Sequence, residues 1–175
     1  MLWHGTRGEN IIGILHTGFR IAPADSRRTG AMFGEGVYFS DVFNKSANYA
    51  FTGNLHRYNQ DVKNKLAKRY VFLCEVALGK MKTLLTAQNV QNLPNMEFQS
   101  VMGYGKTGPN PKGNIYLPNG CIVPLGKLQN NPPPLFAEKN ESWNLQYNEY
   151  IVYNTSQIRI RYIVELRDID NQSEY

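Results

Sequence analysis

The chain has 175 residues with 42% hydrophobic and 12% aromatic content, values that indicate a globular domain with its own core and exclude a disordered chain. Its net charge of +5 suits an anionic ligand without requiring one, and no apolar run is long enough for a membrane helix. The two cysteines come without a secretory signal, which predicts reduced thiols in an intracellular protein.

The chain opens on apolar residues and then shows a helical pattern. Leu2 and Trp3 belong in a core, and since domains rarely start inside their core, we expect this domain to be incomplete at its N-terminus. Thr6–Glu9 has the spacing of a capping box. The isoleucines that follow predict a helix from about Arg7 to Thr17, ended by Gly18.

A strand-to-helix junction follows within Gly34–Tyr49. Val37–Phe39 predicts a short strand, and Ser40 or Asp41 is suited to cap a helix that runs to Tyr49. Ser46 and Tyr49 share a face of that helix, and Tyr38 comes from the strand before it. These side chains predict a flat slot for a planar, polar ring.

The rest of the chain is rich in strands. Further predicted helices are Asp61–Arg69, which is basic, and Thr86–Leu93. Further predicted strands are Phe19–Ile21, Tyr70–Gly79 as the central strand, Ile115–Tyr116 and Cys121–Val123 as a hairpin, Tyr147–Tyr153, and Ile158–Leu166. Predicted loops are 22–31, 51–61, 100–111 and 126–144, and residues 168–175 form a frayed tail.

Three polar residues occupy positions where burying an apolar residue would cost less free energy. His4 follows Trp3, Tyr38 lies within a short apolar strand, and Glu149 interrupts a strand of aromatic and β-branched residues. Each has a structural explanation when taken singly: a half-buried histidine with its hydrogen bonds made, a strand aromatic, and an edge charge. Their association with chemistry depends on the motifs around them.

Seven motifs occur in a fixed order, and together they cover the chain from Leu2 to about Leu166. They are Trp3–Thr6, Gly18–Pro23, Met32–Phe39, Lys45–Tyr49, Glu75–Gly79, Gly103–Thr107 and Tyr147–Tyr153. With these motifs the chain closely resembles the catalytic domain of poly(ADP-ribose) polymerases. The resemblance implies an α+β, diphtheria-toxin-like ADP-ribosyltransferase fold, with two antiparallel-rich sheets around an NAD cleft and few short helices. It assigns 1–167 to that domain, N-terminally incomplete and without the family's helical regulatory domain.

The resemblance also implies roles for individual residues. His4, Tyr38 and Glu149 would form the catalytic triad, with Glu149 as the catalytic carboxylate and Lys45 on the acceptor side. The residues expected to bind NAD+ are His4, Gly5, Thr6, Asn10, Gly13, Arg20, Tyr38, Ser46 and Tyr49. Among them, Gly5 and Ser46 would hold the nicotinamide carboxamide.

The remaining NAD+ contacts divide between the two halves of the dinucleotide. Tyr38 and Tyr49 would enclose the nicotinamide ring, and His4 would bond the ribose on the adenosine side. Four further residues would contact the adenosine half: Thr6, Asn10, Gly13 and Arg20. No metal is expected.

The function implied by the resemblance is NAD+-dependent transfer of ADP-ribose to proteins, including the enzyme itself, with release of nicotinamide. A glutamate at 149 favours elongation of poly(ADP-ribose). The alternatives are single transfer, or a weakly active NAD-binding pseudoenzyme if the N-terminus is incomplete; nucleic-acid binding through Lys63–Arg69 is a third reading. The family resemblance implies a nuclear location, with the cytoplasm as the alternative, a role in DNA repair, DNA contact only through other modules, and no membrane.

Overall fold

Most of the chain folds as short strands. A computed structural model describes residues 1–21, 31–50, 69–90, 97–135 and 142–166. The strands there are β1 Leu2–Gly5, β2 Val37–Phe39, β3 Arg69–Val76, β4 Met81–Leu84, β5 Ser100–Gly103, β6 Thr107–Pro109, β7 Ile115–Tyr116, β8 Ile122–Val123, β9 Leu128–Asn130, β10 Glu149–Val152 and β11 Ile158–Leu166. The helices are α1 Gly8–Thr17 and α2 Phe43–Ala47, with 3-10 turns at Pro111–Gly113 and Thr155–Gln157. This composition confirms the predicted α+β class.

Two sheets form the body of the domain. One has the order β1-β3-β11 and is antiparallel throughout. The other has the order β2-β10-β5-β4, in which β4 and β5 run parallel and the other pairs are antiparallel. Trp3 and Ser40 exchange backbone hydrogen bonds of 2.8 and 2.9 Å, so β1 is tied to the residue that follows β2. The two sheets therefore meet at the start of the chain.

β3 is the central strand of its sheet, as predicted. Cys74 lies opposite Leu2 on one side and opposite Ile160 on the other. Val71, Phe72 and Cys74 are fully buried, which explains the nearly continuous apolar run of this strand. Burial also raises the pKa of the Cys74 thiol to about 12, which keeps the thiol inert.

Two apolar clusters lie on opposite faces of the four-stranded sheet. The main one joins both sheets to α1 and consists of Leu2, Ile11, Phe19, Val37, Phe39, Phe72, Cys74 and Val152. The second consists of Phe33, Val90, Val101, Leu145 and Ile151. Ile151 and Val152 are neighbours on β10, and successive strand residues point to opposite faces, so this one strand supplies both clusters.

The extent of α1 and its end at Gly18 agree with the prediction, but its N-terminal cap does not. The helix ends at Gly18, whose φ of 79° suits glycine and whose N–H donates to Ile14 O at 2.9 Å. The predicted capping box is wrong, because Arg7 occupies the N-cap position and its side chain makes no capping hydrogen bond. The Thr6 hydroxyl instead accepts a hydrogen bond of 2.9 Å from the Asn10 side chain.

α2 is shorter than predicted. It spans Phe43–Ala47 rather than reaching Tyr49, and Val42 is its N-cap. The Ser40 hydroxyl accepts a 3.0 Å hydrogen bond from the Val42 N–H just before the helix, so it supports the entry to α2 without being the cap.

The predicted strand Phe19–Ile21 is wrong. Phe19 is buried as a single anchor, and its ring lies edge-on to those of His4 at 4.8 Å, Phe39 at 5.9 Å and Phe72 at 5.7 Å. Packing against three rings from two sheets, rather than pairing with a strand, explains why residue 19 is aromatic.

The predicted loops 100–111 and 126–144 are also wrong in part, because the first contains β5 and β6 and the second contains β9. The glycines of the first stretch are needed for close packing. A Cβ on Gly103 would lie 2.7 Å from the Phe33 ring, and one on Gly108 would lie 2.7 Å from the Asn148 amide. Likewise no helix forms over residues 86–90, where Val90 enters the second cluster.

Other predictions hold or fall outside what the structure describes. The hairpin β7–β8 and the bounds of β2 and β11 are confirmed, while the predicted strand Tyr147–Tyr153 is narrower, at Glu149–Val152. Outside the described residues lie the loop at 22–30, the loop and basic helix over 51–68, the end of the predicted helix at 91–93, and the tail 168–175.

Candidate active site

One cleft of about 790 Å³ collects the residues singled out in the sequence. It is lined by His4 and Gly5 from β1, by residues of α1, by Tyr38 from β2, and by the region of α2. The residues with an implied site role that line it are His4, Gly5, Thr6, Asn10, Gly13, Arg20, Tyr38, Lys45, Ser46, Tyr49 and Glu149. The fold thus places all of them together, and their individual roles stay predictions.

His4 is held as a neutral ring. Its Nδ1 lies 2.8 Å from the carbonyl oxygen of Tyr38, and since a carbonyl only accepts, Nδ1 carries the proton and Nε2 is left as an acceptor. The ring packs edge-on against Phe19 and tilted against Phe39 at 5.5 Å. Burial lowers the pKa of His4 to about 4, although the bond to Tyr38 opposes the shift.

The depressed pKa of His4 predicts a loss of stability in mild acid. Between pH 6.5 and about 4 the unfolded chain binds a proton at this histidine and the folded chain does not, so stability falls as the pH falls through this window. The loss in the free energy of unfolding amounts to about 3 kcal/mol once the pH is below 4. Urea unfolding of wild type and His4→Gln across this window measures it, and parallel curves for the two proteins would contradict the prediction.

β1 and α2 touch through backbone at Gly5 and Ser46. A Cβ on Gly5 would lie 1.7 Å from the Ser46 carbonyl oxygen, so only glycine allows this approach. The buried Ser46 hydroxyl donates to Trp3 O at 3.0 Å, which leaves its lone pairs to accept a further hydrogen bond. Backbone and hydroxyl therefore stand side by side in the cleft, as a clamp for an amide requires.

The two tyrosines of the predicted slot differ in how firmly they are held. The Tyr38 hydroxyl donates to Gly34 O at 2.8 Å and accepts from the Phe33 N–H at 2.9 Å, which fixes its ring from behind. Tyr49 is 52% exposed in the cleft, and burial of the remainder, together with the nearby Glu149 charge, raises the pKa of its hydroxyl. The Tyr38 ring is therefore a fixed wall of the cleft, whereas Tyr49 is open to solvent.

The rim of the cleft on α1 is polar and open to solvent. Asn10, Gly13 and Arg20 are exposed, and the bond between Asn10 and Thr6 orients two of the side chains that face the cleft. Such a rim suits the polar half of an extended ligand.

A buried ion pair lies at the back of the cleft. Lys45 Nζ pairs with Glu149 Oε1 and also donates to Asn148 O at 3.4 Å, and the two charged side chains are 15% and 11% exposed. Burial lowers the pKa of Lys45, against the opposing pull of the Glu149 and Asp41 charges. Glu149 Oε2 is buried and has no hydrogen-bond partner among the described residues. An unpaired buried acceptor costs free energy, so this oxygen is free to accept a further hydrogen bond in the cleft.

Sequence reasoning missed two residues behind this pair. Asn148 is buried next to Glu149, and its side-chain oxygen accepts from the Gly105 N–H at 2.9 Å. Asp41, considered only as a cap, is buried and accepts hydrogen bonds from Asn148 at 2.8 Å and from the Tyr150 hydroxyl at 3.0 Å. Neither residue stood out in the sequence, because polar residues are common at the ends of strands.

The described residues contain neither a metal-binding cluster nor a membrane-spanning helix. Across those ranges, no group of three or more His, Cys, Asp or Glu side chains is placed to hold a metal ion. Within the same part of the chain, no helix is both long enough and apolar enough to cross a membrane.

The fold and the cleft give an α+β domain with a buried carboxylate at the back of a cleft of ligand size. One oxygen of that carboxylate, Oε2 of Glu149, has no hydrogen-bond partner among the described residues. The family model for the poly(ADP-ribose) polymerase catalytic domain matches residues 1–168. The chain therefore belongs to the poly(ADP-ribose) polymerase family, the NAD+ ADP-ribosyltransferases that the sequence motifs predicted.

Curated relatives agree with this family. The chain is 45% identical over 168 residues to poly [ADP-ribose] polymerase 2 of Arabidopsis thaliana, and 43% identical over 167 residues to poly [ADP-ribose] polymerase 2-A of Oryza sativa subsp. japonica. It is 40% identical over 167 residues to poly [ADP-ribose] polymerase 1 of Danio rerio. Each match covers 95% of this chain but 24%, 23% and 15% of the relative, respectively, so the chain spans about a quarter or less of the length of these relatives.

Proposed function

We propose that this chain transfers ADP-ribose from NAD+ to protein acceptors, releases nicotinamide, and elongates poly(ADP-ribose). The observation that carries the proposal is Glu149: one carboxylate oxygen is held by Lys45, and the other is buried in the cleft with no donor among the residues that the structure describes. A ribose hydroxyl is the donor that this oxygen would accept from.

The chemistry needs a fixed negative charge beside the ribose. When the bond between the anomeric carbon and the nicotinamide nitrogen breaks, its electron pair leaves with nicotinamide and positive charge develops on the ribose ring. Glu149 stabilises that charge more than it stabilises bound NAD+, which is the condition for accelerating the reaction. The same carboxylate polarises the hydroxyl of an incoming acceptor, beside Lys45.

The other cleft residues support this substrate by their chemistry. Gly5 and Ser46 would bind the carboxamide, and Tyr38 and Tyr49 would stack on the nicotinamide ring. His4 would use its free acceptor nitrogen to bond the adenosine-side ribose. The polar rim of Thr6, Asn10, Gly13 and Arg20 would meet the adenosine half.

The proposal extends to the whole domain. We assign residues 1–167 to a diphtheria-toxin-like ADP-ribosyltransferase domain. The family also suggests a nuclear protein with a role in DNA repair, in which DNA acts indirectly, through modules other than this domain.

Incubation of the chain with NAD+ labelled in its adenylate half tests the proposal. We expect nicotinamide release and a smear of labelled protein on a denaturing gel, both suppressed when excess nicotinamide is added. A sharp labelled band would reduce the proposal to single transfer. Absence of both nicotinamide release and label, with a melting temperature still raised by nicotinamide, would replace it with an NAD-binding pseudoenzyme.

A further inference from the structure

A second buried acid lies behind the Lys45–Glu149 pair. Asp41 follows β2 and is only 8% exposed. Its Oδ2 accepts hydrogen bonds from the Asn148 amide at 2.8 Å and from the Tyr150 hydroxyl at 3.0 Å. These are the two residues on either side of Glu149, so one carboxylate holds the strand both before and after the catalytic position.

Asn148 is fixed from both ends. Its side-chain nitrogen donates to Asp41, while its side-chain oxygen accepts from the Gly105 N–H at 2.9 Å, and these two bonds determine which way the amide faces. Its backbone oxygen accepts from the Ser40 hydroxyl at 3.2 Å and from Lys45 at 3.4 Å. The backbone on which Glu149 stands therefore has little freedom to move.

The charges around Lys45 depend on Asp41 as well. Burial disfavours the Lys45 ammonium, and the Glu149 and Asp41 charges oppose that effect, so the buried amine has two carboxylates and not one in its favour. Asp41 and Lys45 both bond Asn148: Asp41 through the side-chain amide at 2.8 Å, and Lys45 through the backbone oxygen at 3.4 Å. Burial raises the pKa of Asp41, and the hydrogen bonds from Asn148 and Tyr150 together with the Lys45 charge oppose that shift. Asp41 Oδ1 is buried with no hydrogen-bond partner among the described residues.

We propose that Asp41 is a positioning residue for the transfer reaction: it aligns Glu149 through Asn148 and Tyr150, and its charge favours the ammonium form of Lys45, the partner of Glu149. The inference rests on the proposed function, since it assigns a role within the same site. It adds a residue that does not line the NAD cleft, because Asp41 lies on the far side of the ion pair and borders a separate cavity.

Asp41→Asn is the variant that tests this role, because asparagine keeps the shape, removes the charge and accepts more weakly from Asn148 and Tyr150 than a carboxylate does. We expect kcat for nicotinamide release to fall about 10- to 100-fold from misalignment, with KM for NAD+ little changed. We also expect the alkaline limb of the pH profile to move to lower pH, because Lys45 loses a favourable charge. We assign the alkaline limb to Lys45. Burial raises the pKa of Tyr49 and Tyr150 and lowers that of His4, so these three groups are shifted away from this limb.

Two further variants distinguish the effect of misalignment from the loss of charge and from a general effect of replacing an acid by an amide. Tyr150→Phe removes one hydrogen bond to Asp41 and leaves the charge, so kcat should fall while the alkaline limb stays in place. Glu75→Gln makes the same acid-to-amide change on β3, where the side chain pairs with Arg161, and should leave kinetics and pH profile unchanged.

Titration of Lys45 by NMR of its labelled side chain gives a readout that does not depend on turnover. A lower Lys45 pKa in Asp41→Asn, but not in Glu75→Gln, is the expected result. If wild type releases nicotinamide and Asp41→Asn matches it in kcat and pH profile, the inference is overturned and the proposed function stands. If wild type releases none, the proposed function fails, and an unmoved Lys45 titration would overturn the inference as well. Should Asp41→Asn fail to fold, a wild-type kcat in Tyr150→Phe would overturn it.

Discussion

Replacing Glu149 by glutamine is expected to slow nicotinamide release on the order of 10²–10³-fold, the effect of removing one preorganised stabilising group from a transition state. Glutamine has nearly the same shape, and its oxygen still accepts from Lys45. Its NH2 group, however, takes the place of one carboxylate oxygen. If it replaces Oε2, a donor faces the ribose hydroxyl where an acceptor is needed, and in either orientation the negative charge is lost.

The design of this experiment separates chemistry from binding. Nicotinamide should still raise the melting temperature of Glu149→Gln, because the carboxamide clamp and the Tyr38 wall do not involve residue 149. Glu97→Gln is the matched control, since its carboxylate pairs with Lys80 and is 72% exposed, and it should react at the wild-type rate. Nicotinamide release by Glu149→Gln at the wild-type rate would remove Glu149 from the mechanism.

The parts of the fold that could be predicted are those where local pattern and tertiary environment agree. Apolar and polar residues alternate in the sequence of β11, and the strand pairs with β3. Its bounds were therefore predicted from Ile158 to Leu166. β2 was predicted because three apolar and aromatic residues follow Gly34 and Gly36, and the structure gives Gly34 the positive φ that glycine allows.

The strands missed within 100–111 were missed because a glycine in a sequence fits either a loop or a closely packed strand. Gly103, Gly105 and Gly108 look like loop punctuation in sequence, yet they lie in or beside strands. A Cβ on Gly105 would lie 2.2 Å from the Tyr147 backbone, and the other two glycines face the Phe33 ring and the Asn148 amide. What requires glycine is a neighbour distant in the chain, and local propensity carries no information about that neighbour.

The same limit explains what was missed behind the site. The motifs placed Lys45 and Glu149 in one site, but their ion pair joins residues 104 apart, and the bond between Asp41 and Asn148 spans 107 residues. Asp41 looked like a helix cap, because an acidic residue before a helix commonly is one. Its actual partners lie on another sheet strand, where only the folded chain brings them together.

Gly5→Ala is expected to cost about 3 kcal/mol of stability and to abolish the rise in melting temperature caused by nicotinamide. The new methyl group would lie 1.7 Å from the Ser46 carbonyl oxygen and 2.6 Å from its carbonyl carbon. These are backbone atoms, so no side-chain rotation relieves the clash, and β1 and α2 must separate. Separation would open the proposed carboxamide clamp of the Gly5 backbone and the Ser46 hydroxyl.

Calorimetry with and without nicotinamide measures both effects, and a loss of this size lowers the melting temperature by about 6–12 °C in a domain of this length. Gly13→Ala is the matched control for stability: its added methyl group meets nothing within 4 Å, and it lies inside α1, where alanine is favoured by about 1 kcal/mol. The same substitution should therefore destabilise at one glycine and stabilise at the other. A Gly5→Ala protein with the wild-type melting temperature and the wild-type response to nicotinamide would show that β1 and α2 do not need this contact. The carboxamide clamp would then have to be assigned to other residues.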